Sequence, residues 1–320
     1  MKKKIVITGG SGFIGSHLSK KLSNEKVYVI DNNRSYLNFD YKIYKNYYRE
    51  ILFRQKNFLS KVKIINCDLK NLYDLSKVIE KIKPDYVIHL AALPLANISN
   101  EYSQEAITSI VGTTNNLLEI LRKINFSGKF IYTSSSMVYG EFNDKIVDEN
   151  APTNPISIYG AAKLAGEVIT KGFCTSFGLN YSIIRPSAAY GPTDVNRRVI
   201  QIFLDNAIKN IPIKIKGSSS KIDFTFVEDL VSGFECVLKS RKSDKEIFNI
   251  TRGNARSLME VAMVIKKYFP SLHVIEEDHE RGVPKRGALN INKARKLINY
   301  KPRFDIEQGI DKYIQHLLRK

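Results

Sequence analysis

Cysteines and long apolar runs are both scarce in this chain of 320 residues. The three cysteines, Cys67, Cys174 and Cys236, are scattered and form no CxxC pair, which argues against a disulfide framework and against a zinc site, so we expect no bound metal. The apolar run that follows the basic start ends at Thr8, too early for a signal peptide, and no later run is long enough to span a membrane. These absences predict a cytoplasmic protein that does not bind or span a membrane.

Acidic residues are also few, with 32 against 50 basic residues and a net charge of +18. The basic residues are spread along every segment, without a basic tail or a dense basic helix. This pattern favours a solvated surface that attracts a small anionic substrate over nucleic-acid binding, and we expect no nucleic-acid partner. The hydrophobic fraction of 43% and the charged fraction of 26% are ordinary values for a folded protein and exclude the disordered and fibrous classes.

The start of the chain predicts a strand, a glycine turn and a helix. The strand KKIVIT is followed by Gly9, Gly12 and Gly15 and then by apolar residues at helical spacing. Such a turn allows a pyrophosphate to approach the first amides of the helix. A second strand, KVYVID, ends at Asp31, where a carboxylate can bond the adenosine ribose and would repel a 2′-phosphate. We therefore expect NAD rather than NADP, although the nearby Arg34 leaves NADP open.

Strands and helices then alternate. Residues 36–61 are rich in Tyr, Phe and Lys, and an amphipathic helix or lid at the cofactor edge is favoured there over direct nucleotide contact. Next come strand VKIINCDL, helix 71–82, strand YVIHLAA, a helix over about 103–124 and strand GKFIYTSSS. This alternation predicts an α/β fold with a doubly wound parallel sheet of the Rossmann type.

The second half predicts a smaller α/β substrate lobe on the C-terminal side. We expect residues 1–180 to form the NAD-binding domain, with elements near 222–250 returning to it, and 181–320 to form mainly the substrate lobe. SLME, residues 257–260, predicts a capping box. Further helices are expected at 198–209, 228–239, 257–267 and 305–317.

One predicted helix, in NPISIYGAAKLAGEVITKGF, carries Tyr159 and Lys163 four residues apart and therefore on one face. Taken alone, such a pair is usually packing plus a snorkelling amine. Its context is more specific, because TGGSGFIGSH, CDL, HLAA, SSSMVYG, YGAAKLAGE, YGP, FTFVEDL and ERGVP occur in this order along the whole chain. In these motifs the sequence resembles the extended short-chain dehydrogenase/reductase family, the NAD-dependent nucleotide-sugar epimerases and dehydratases.

The resemblance implies a catalytic role for Tyr159, Lys163 and Ser135. Tyr159 would take the proton from a sugar hydroxyl, Lys163 would stabilise the phenolate and bond the nicotinamide ribose, and Ser135 would bond the reacting oxygen. The implied NAD-binding residues are Gly9, Gly12, Phe13, Ile14, Gly15, Asp31, Asn32, Asp68, Leu69, Leu90, Ala91 and Ala92, together with Tyr159 and Lys163. The implied substrate-binding residues are Ser135, Ser136, Met137, Arg198 and Arg281. His89 is expected to be a packed strand residue.

Ser136 and Met137 stand where related dehydratases and decarboxylases carry polar helpers, and a thioether cannot usefully transfer a proton. Elimination and decarboxylation are therefore not expected, which leaves hydride transfer at C4 of a nucleotide sugar. A 4-epimerase is favoured, and a 4-dehydrogenase or 4-ketoreductase stays open. A catalytically silent NAD-binding regulator is disfavoured because the three catalytic residues are intact.

Three departures from the family pattern, Ser109, Ala188 and Ile222, leave the nucleotide and the sugar open. Arg281 would bind the diphosphate of that nucleotide. The family also implies a homodimer or a higher homo-oligomer.

Overall fold

The computed structural model describes residues 1–34, 41–142, 146–218, 220–277 and 285–319, without the side chains of 41–46. The strands are β1 (Lys4–Thr8), β2 (Lys26–Asp31), β3 (Lys63–Asn66), β4 (Tyr86–His89), β5 (Lys129–Thr133), β6 (Asn180–Pro186), β7 (Ala189–Tyr190), β8 (Ile213–Lys216), β9 (Lys221–Ile222), β10 (Thr225–Phe226), β11 (Glu246–Ile250), β12 (Arg256–Ser257) and β13 (Val274–Glu277).

The α-helices are α1 (Phe13–Lys21), α2 (Tyr41–Asn57), α3 (Leu72–Ile82), α4 (Ala96–Glu101), α5 (Ser103–Ile107), α6 (Thr113–Lys123), α7 (Ile158–Phe177), α8 (Val199–Ile208), α9 (Val227–Lys239), α10 (Leu258–Tyr268), α11 (Asn292–Ile298) and α12 (Ile306–Leu318). A π-helical segment covers Thr108–Gly112, and 3-10 turns cover Ser136–Tyr139 and Arg241–Ser243.

Seven strands form a parallel sheet in the order β11-β6-β5-β4-β1-β2-β3. In β1, Ile5 and Ile7 pack into one apolar cluster with α1 and α9, and Val6 packs into a second cluster with α3, α6 and α7. A strand covered on both faces needs a continuous apolar run, which explains the sequence IVI. The predicted α/β fold with a doubly wound parallel Rossmann-type sheet is confirmed.

The strand order reverses between β1 and β4, so a crevice opens at the carboxyl ends of these two strands. The chain leaves the sheet after β6 and returns to it with β11, which lies within the interval 222–250. This topology places residues from distant parts of the sequence around one crevice.

A third apolar cluster joins α8, α10 and α12 to the two-stranded parallel pair β8 and β13. The predicted helices of this region are present, and α10 begins with the predicted capping box, in which the Glu260 N–H donates to Ser257 Oγ at 3.1 Å. Within the described part of the chain, no helix is long and apolar enough to cross a membrane.

The helix predicted over about 103–124 is not continuous, since α5 ends at Ile107 and the π-helical segment precedes α6. Within this stretch the Thr113 hydroxyl donates to the Ser109 carbonyl oxygen at 2.7 Å, and the Thr114 hydroxyl donates to that of Ile110 at 2.6 Å. Hydroxyl bonds of this kind compete with the helical backbone pattern and deform it. The periodicity of the sequence did not reveal the deformation.

Candidate active site

The crevice holds a cavity of about 500 Å³. Its lining includes every residue proposed from the sequence to hold NAD: Gly9, Gly12, Phe13, Ile14, Gly15, Asp31, Asn32, Asp68, Leu69, Leu90, Ala91, Ala92, Tyr159 and Lys163. Arg198 also lines the cavity. Ser135, Ser136 and Met137 belong to the segment that follows the lining residue Ser134, and Arg281 lies outside the described residues.

The glycine turn between β1 and α1 fits an anionic ligand. A Cβ on Gly15 would overlap the Gly9 carbonyl oxygen, so only glycine allows this close turn. Gly12 is the N-cap of α1, and no side chain of the described residues caps that helix. The first amides of α1 are therefore available to phosphate oxygens, as a pyrophosphate site requires.

Asp31 lies at the carboxyl end of β2, where its Oδ2 accepts from the Ser11 N–H at 3.0 Å and its Oδ1 accepts from the Asn33 N–H at 2.9 Å. Burial raises the pKa of Asp31, and these hydrogen bonds oppose the rise. Arg34 Nη1 lies 3.7 Å from a carboxylate oxygen of Asp68. Arg34 is thus directed to another carboxylate, and Asp31 keeps the geometry that favours a ribose diol.

Helix α2 confirms the amphipathic helix predicted within 36–61, and it lines the cavity through Tyr47, Tyr48, Ile51, Arg54 and Gln55. The buried Arg54 donates through Nη1 to the Ser11 carbonyl oxygen at 3.2 Å and through Nη2 to that of Thr193. These two bonds tie α2 to the glycine turn and to the loop after β7. Arg54 was not predicted from the sequence as a site residue, although it lies in the segment singled out as a lid.

Tyr159 and Lys163 lie in the first turns of α7, which begins after the N-cap Ser157. A Cβ on Gly166 would overlap the Tyr132 hydroxyl, so glycine lets α7 pack closely on β5. Lys163 is buried and donates through Nζ to the Thr133 carbonyl oxygen at 2.8 Å, and this amine lies 5.9 Å from the centre of the Tyr159 ring. Strand and helix thus hold the amine beside the phenol.

Opposing effects act on the acidity of the Tyr159 phenol. Burial raises its pKa, whereas the charges of Arg198 and Arg286 and a hydrogen bond to the Ser135 side chain lower it. Burial lowers the pKa of Lys163 to about 7, and the charge of Glu167 opposes that shift. A negative charge that forms on the phenol therefore meets the guanidinium groups of Arg198 and Arg286 and the hydroxyl of Ser135, with the Lys163 amine 5.9 Å from the ring centre.

A buried ion pair positions this helix. Arg185 on β6 donates to both oxygens of Glu167 on α7, through Nε at 2.8 Å and through Nη2 at 2.7 Å. The Ser134 hydroxyl donates to the same carboxylate at 2.5 Å. The pair joins α7 to the end of β5, next to Ser135. This pair was not predicted, because nothing in the spacing of residues 167 and 185 marks a contact.

Arg286 is a second arginine of the site that was not predicted from the sequence. Its Nη2 donates to Ser136 Oγ at 2.6 Å and to Ser187 Oγ at 2.8 Å. Arg286 follows closely after the ERGVP motif, so the motif indicated the correct region of the chain. Met137 is half-buried, and its N–H donates to Ser135 Oγ at 3.2 Å.

His89 is a packed strand residue, as predicted. Its Nδ1 lies 2.7 Å from the Thr8 hydroxyl, and burial lowers its pKa to about 3. Among the described residues, no group of three His, Cys, Asp or Glu side chains is arranged to hold a metal ion.

Similar proteins share the whole fold. The profile of the family described as "NAD dependent epimerase/dehydratase family" matches residues 5–251. The structure of a UDP-glucose 4-epimerase from Thermotoga maritima with UDP-glucose has a TM-score of 0.87 and 25% identity and covers 98% of both chains. The structure of a UDP-glucuronic acid 4-epimerase from Bacillus cereus with UDP-glucuronic acid and NAD has a TM-score of 0.87 and 28% identity, also over 98% of both chains.

A dTDP-D-glucose 4,6-dehydratase from Dictyostelium discoideum is 32% identical over 286 residues, which are 82% of this chain and 61% of that protein. Similarity by itself therefore does not exclude a dehydratase, and that exclusion stays a prediction from Ser136 and Met137. The family profile nevertheless spans most of the 320 residues. The chain belongs to the NAD dependent epimerase/dehydratase family.

Proposed function

We propose that the protein is an NAD-dependent UDP-sugar 4-epimerase. The observation that carries the proposal is that Tyr159 and Lys163 line, with Ser135 beside them, the same cavity as the start of α1, which no described side chain caps. The two UDP-sugar 4-epimerases reported above, one of them solved with NAD, support both the reaction and the cofactor.

In the proposed reaction Ser135 bonds the C4 oxygen of the sugar, and the Tyr159 phenolate takes the proton of the C4 hydroxyl. The positive charge of Lys163 stabilises the phenolate. When bound, NAD supplies a hydride acceptor whose reduced form gives the hydride back. The resulting 4-keto sugar turns within the cavity, and Tyr159 returns the proton to the oxygen after hydride has entered from the other face.

The residues proposed to hold NAD divide along its length. The amides at the start of α1 bind the pyrophosphate, Asp31 bonds the adenosine ribose, and Asp68 and Leu69 border the adenine. Leu90 to Ala92 and Lys163 contact the nicotinamide half. Arg54 is added to this set because it closes α2 over the glycine turn.

The two residues after Ser135 argue against a dehydratase. A β-elimination needs a group that removes one proton and a group that protonates the leaving hydroxyl. Ser136 and Met137 supply neither, because an aliphatic hydroxyl is a very weak acid and a very weak base and a thioether carries no proton. We therefore propose that the chemistry ends at hydride transfer.

The division of the chain is part of the proposal. Residues 1–180, with the elements near 222–250, bind NAD, and 181–320 mainly bind the nucleotide sugar. The return of β11 to the large sheet and the separate apolar cluster around α8, α10 and α12 support this division. The homo-oligomer and the cytoplasmic location stay predictions from the sequence.

The test is to incubate the purified protein with NAD and either UDP-glucose or UDP-glucuronic acid and to identify the product by NMR. We expect a C4-inverted sugar without net formation of NADH. Tyr159→Phe should lower kcat by about 10²–10⁴-fold, the range for loss of a general base, while NAD stays bound. Normal turnover by Tyr159→Phe would contradict the proposal.

A further inference from the structure

Two arginines act on the Tyr159 phenol, and they differ in their partners. Arg198 Nη1 lies 3.0 Å from each carboxylate oxygen of Asp194. Arg286 instead donates to two neutral groups, the hydroxyls of Ser136 and Ser187. Within the described ranges, no carboxylate forms an ion pair with Arg286. Its charge is therefore held beside the reacting position by neutral partners.

The acidic group that acts on Arg286 is the buried Asp223, which attracts it without a hydrogen bond between them. Asp223 Oδ2 accepts from Thr251 Oγ1 at 2.9 Å and from the N–H groups of Gly253 and Leu289, each at 3.1 Å. Its Oδ1 has no hydrogen-bond partner among the described residues. Asp223 thus holds the backbone at Gly253 and Leu289 and leaves the Arg286 guanidinium for another anion.

Burial also raises the pKa of Asp223 to about 7. Its hydrogen bonds go to Thr251, Gly253 and Leu289 rather than to the guanidinium, so it compensates the charge of Arg286 only from a distance. A half-buried guanidinium without a full counter-charge is costly, and an anionic ligand removes that cost.

The position of Arg286 relative to the reaction indicates where the anion sits on the sugar. Ser135 bonds Tyr159, and the next residue, Ser136, accepts from Arg286. A sugar whose C4 hydroxyl meets Ser135 and Tyr159 has two neighbouring ring carbons, C3 and C5, and the assignment made here puts C5, which bears the carboxylate of a uronic acid, on the side of Ser136 and Arg286. A guanidinium is suited to a carboxylate, because its planar N–H groups match the two oxygens.

We propose, on the basis of the 4-epimerase function, that Arg286 binds a carboxylate on the ring carbon next to C4 and that the preferred substrate is a UDP-linked uronic acid. Ser136 and Ser187 orient the guanidinium for this contact. UDP-hexoses with an uncharged sugar lack the group that Arg286 binds and are the poorer substrates.

The first test measures binding, so that it does not depend on turnover. In the Tyr159→Phe background with NAD, dissociation constants for UDP-glucuronic acid and UDP-glucose are compared by calorimetry with and without Arg286→Gln. With native Arg286, we expect the Kd for UDP-glucuronic acid to be lower than the Kd for UDP-glucose. Arg286→Gln should reduce the ratio of these two constants by about 100-fold, as expected for a hydrogen bond between charged groups. Arg295→Gln, an exposed arginine on α11, is the matched control and should leave the ratio unchanged.

The second test measures turnover of both sugars by the protein with native Tyr159. If both are epimerised and Arg286→Gln leaves the ratio of their kcat/KM values unchanged, the assignment of Arg286 is wrong and the 4-epimerase stands. If neither is epimerised but the acid still binds tightly through Arg286, the 4-epimerase is wrong and the carboxylate site stands.

Inhibition by UDP alone separates a carboxylate site from a diphosphate site. If Arg286 contacts the sugar carboxylate, Arg286→Gln should change the inhibition constant of UDP by less than about 2-fold. A weakening of UDP inhibition in parallel with a loss of binding for both sugars would assign Arg286 to the diphosphate and overturn the proposal. Arg286→Lys should recover part of the preference for the acid, because it restores the charge without the planar fork.

Discussion

At the scale of single residues, the proposed function depends on the charge state of Tyr159. A phenol with an ordinary pKa of about 10 is a poor base near neutrality, and burial raises the pKa further. Arg198, Arg286 and the hydrogen bond to Ser135 act in the opposite direction. Loss of the phenol proton creates an anion beside the Lys163 amine, and the two opposite charges then stabilise each other.

This arrangement predicts a pH dependence. The base is active only when it is deprotonated. The value of kcat/KM should therefore be low at pH values below the pKa of Tyr159 and should rise as the pH passes through that pKa. Lys163→Met removes a positive charge and therefore raises that pKa, which should move the acid limb of the profile upward by about 1–2 pH units. Rate profiles for both proteins, extended into the alkaline range as far as the folded protein persists, measure the shift. A profile whose acid limb is unchanged in Lys163→Met would show that the amine does not stabilise the phenolate.

Residues with a fixed spacing could be predicted from the sequence, and residues placed by tertiary packing could not. The glycines of the first turn, Asp31 and the pair on α7 follow from local geometry, and all of them line the cavity. Arg54 and Arg286 reach the site from segments far apart in the chain, and their side-chain directions depend on what surrounds them. Fifty basic residues gave no local signal that singled out these two.

At the scale of elements, the position of α7 relative to β5 and β6 determines whether Tyr159 meets Ser135. The ion pair of Glu167 and Arg185 joins these elements and is nearly inaccessible to solvent, with side-chain exposures of 0% and 3%. Removal of one partner leaves the other charge buried and uncompensated, which is strongly destabilising.

Arg185→Met should therefore lower the free energy of unfolding by about 3–5 kcal/mol. Urea denaturation followed by circular dichroism measures the change. Arg122→Met is the matched control, because Arg122 pairs with Glu119 on the exposed face of α6. The urea midpoint of this variant should stay close to that of the native protein. Equal midpoints for the two variants would contradict the structural role of the buried pair.

Helix α2 is the element that closes the cavity on the side of the glycine turn. Arg54→Met removes both bonds from this helix to the backbone at Ser11 and Thr193. We expect the Kd for NAD to rise by about 10-fold, consistent with the loss of charged hydrogen bonds, and the rate of NAD release to rise with it. Fluorescence titration and stopped-flow release measure both quantities. Lys56→Met, an exposed residue of the same helix, should bind NAD like the native protein.

Among the elements, the helices with regular apolar periodicity were predicted well, as α3, α7, α10 and α12 illustrate. The π-helical segment was not predicted. The hydroxyl groups of Thr113 and Thr114 bond carbonyl oxygens of the preceding turn, and such bonds leave the spacing of apolar residues in the sequence nearly intact. Ser109 and Thr113 in and beside that segment line the cavity, so the deformation lies where the chain meets the cofactor site.

At the scale of the whole molecule, the parallel strand order brings residues between 9 and 198 to one crevice. The alternation of strands and helices predicted this outcome, since the carboxyl ends of parallel strands share one edge of the sheet. The identity of the sugar did not follow from the alternation, because it depends on a few side chains such as Arg286.

The net charge of +18 should affect association with the anionic substrate. A positive field attracts a nucleotide diphosphate sugar, and salt screens it over about 10 Å at 0.1 M. We expect kcat/KM to fall several-fold between about 20 and 300 mM NaCl, with kcat changing much less. Steady-state kinetics at constant pH measures both, and a kcat/KM that is independent of salt would contradict a role for the surface charge.

The most direct test of the central claim follows the hydrogen at C4. UDP-glucose and UDP-glucuronic acid, each deuterated at C4, are incubated with the protein and NAD, and the products are examined by NMR and by absorbance of NADH. The account predicts a C4-inverted sugar that keeps its deuterium at C4, with no net NADH. Accumulation of NADH with a 4-keto sugar, or loss of water to give a 4-keto-6-deoxy sugar, would contradict it.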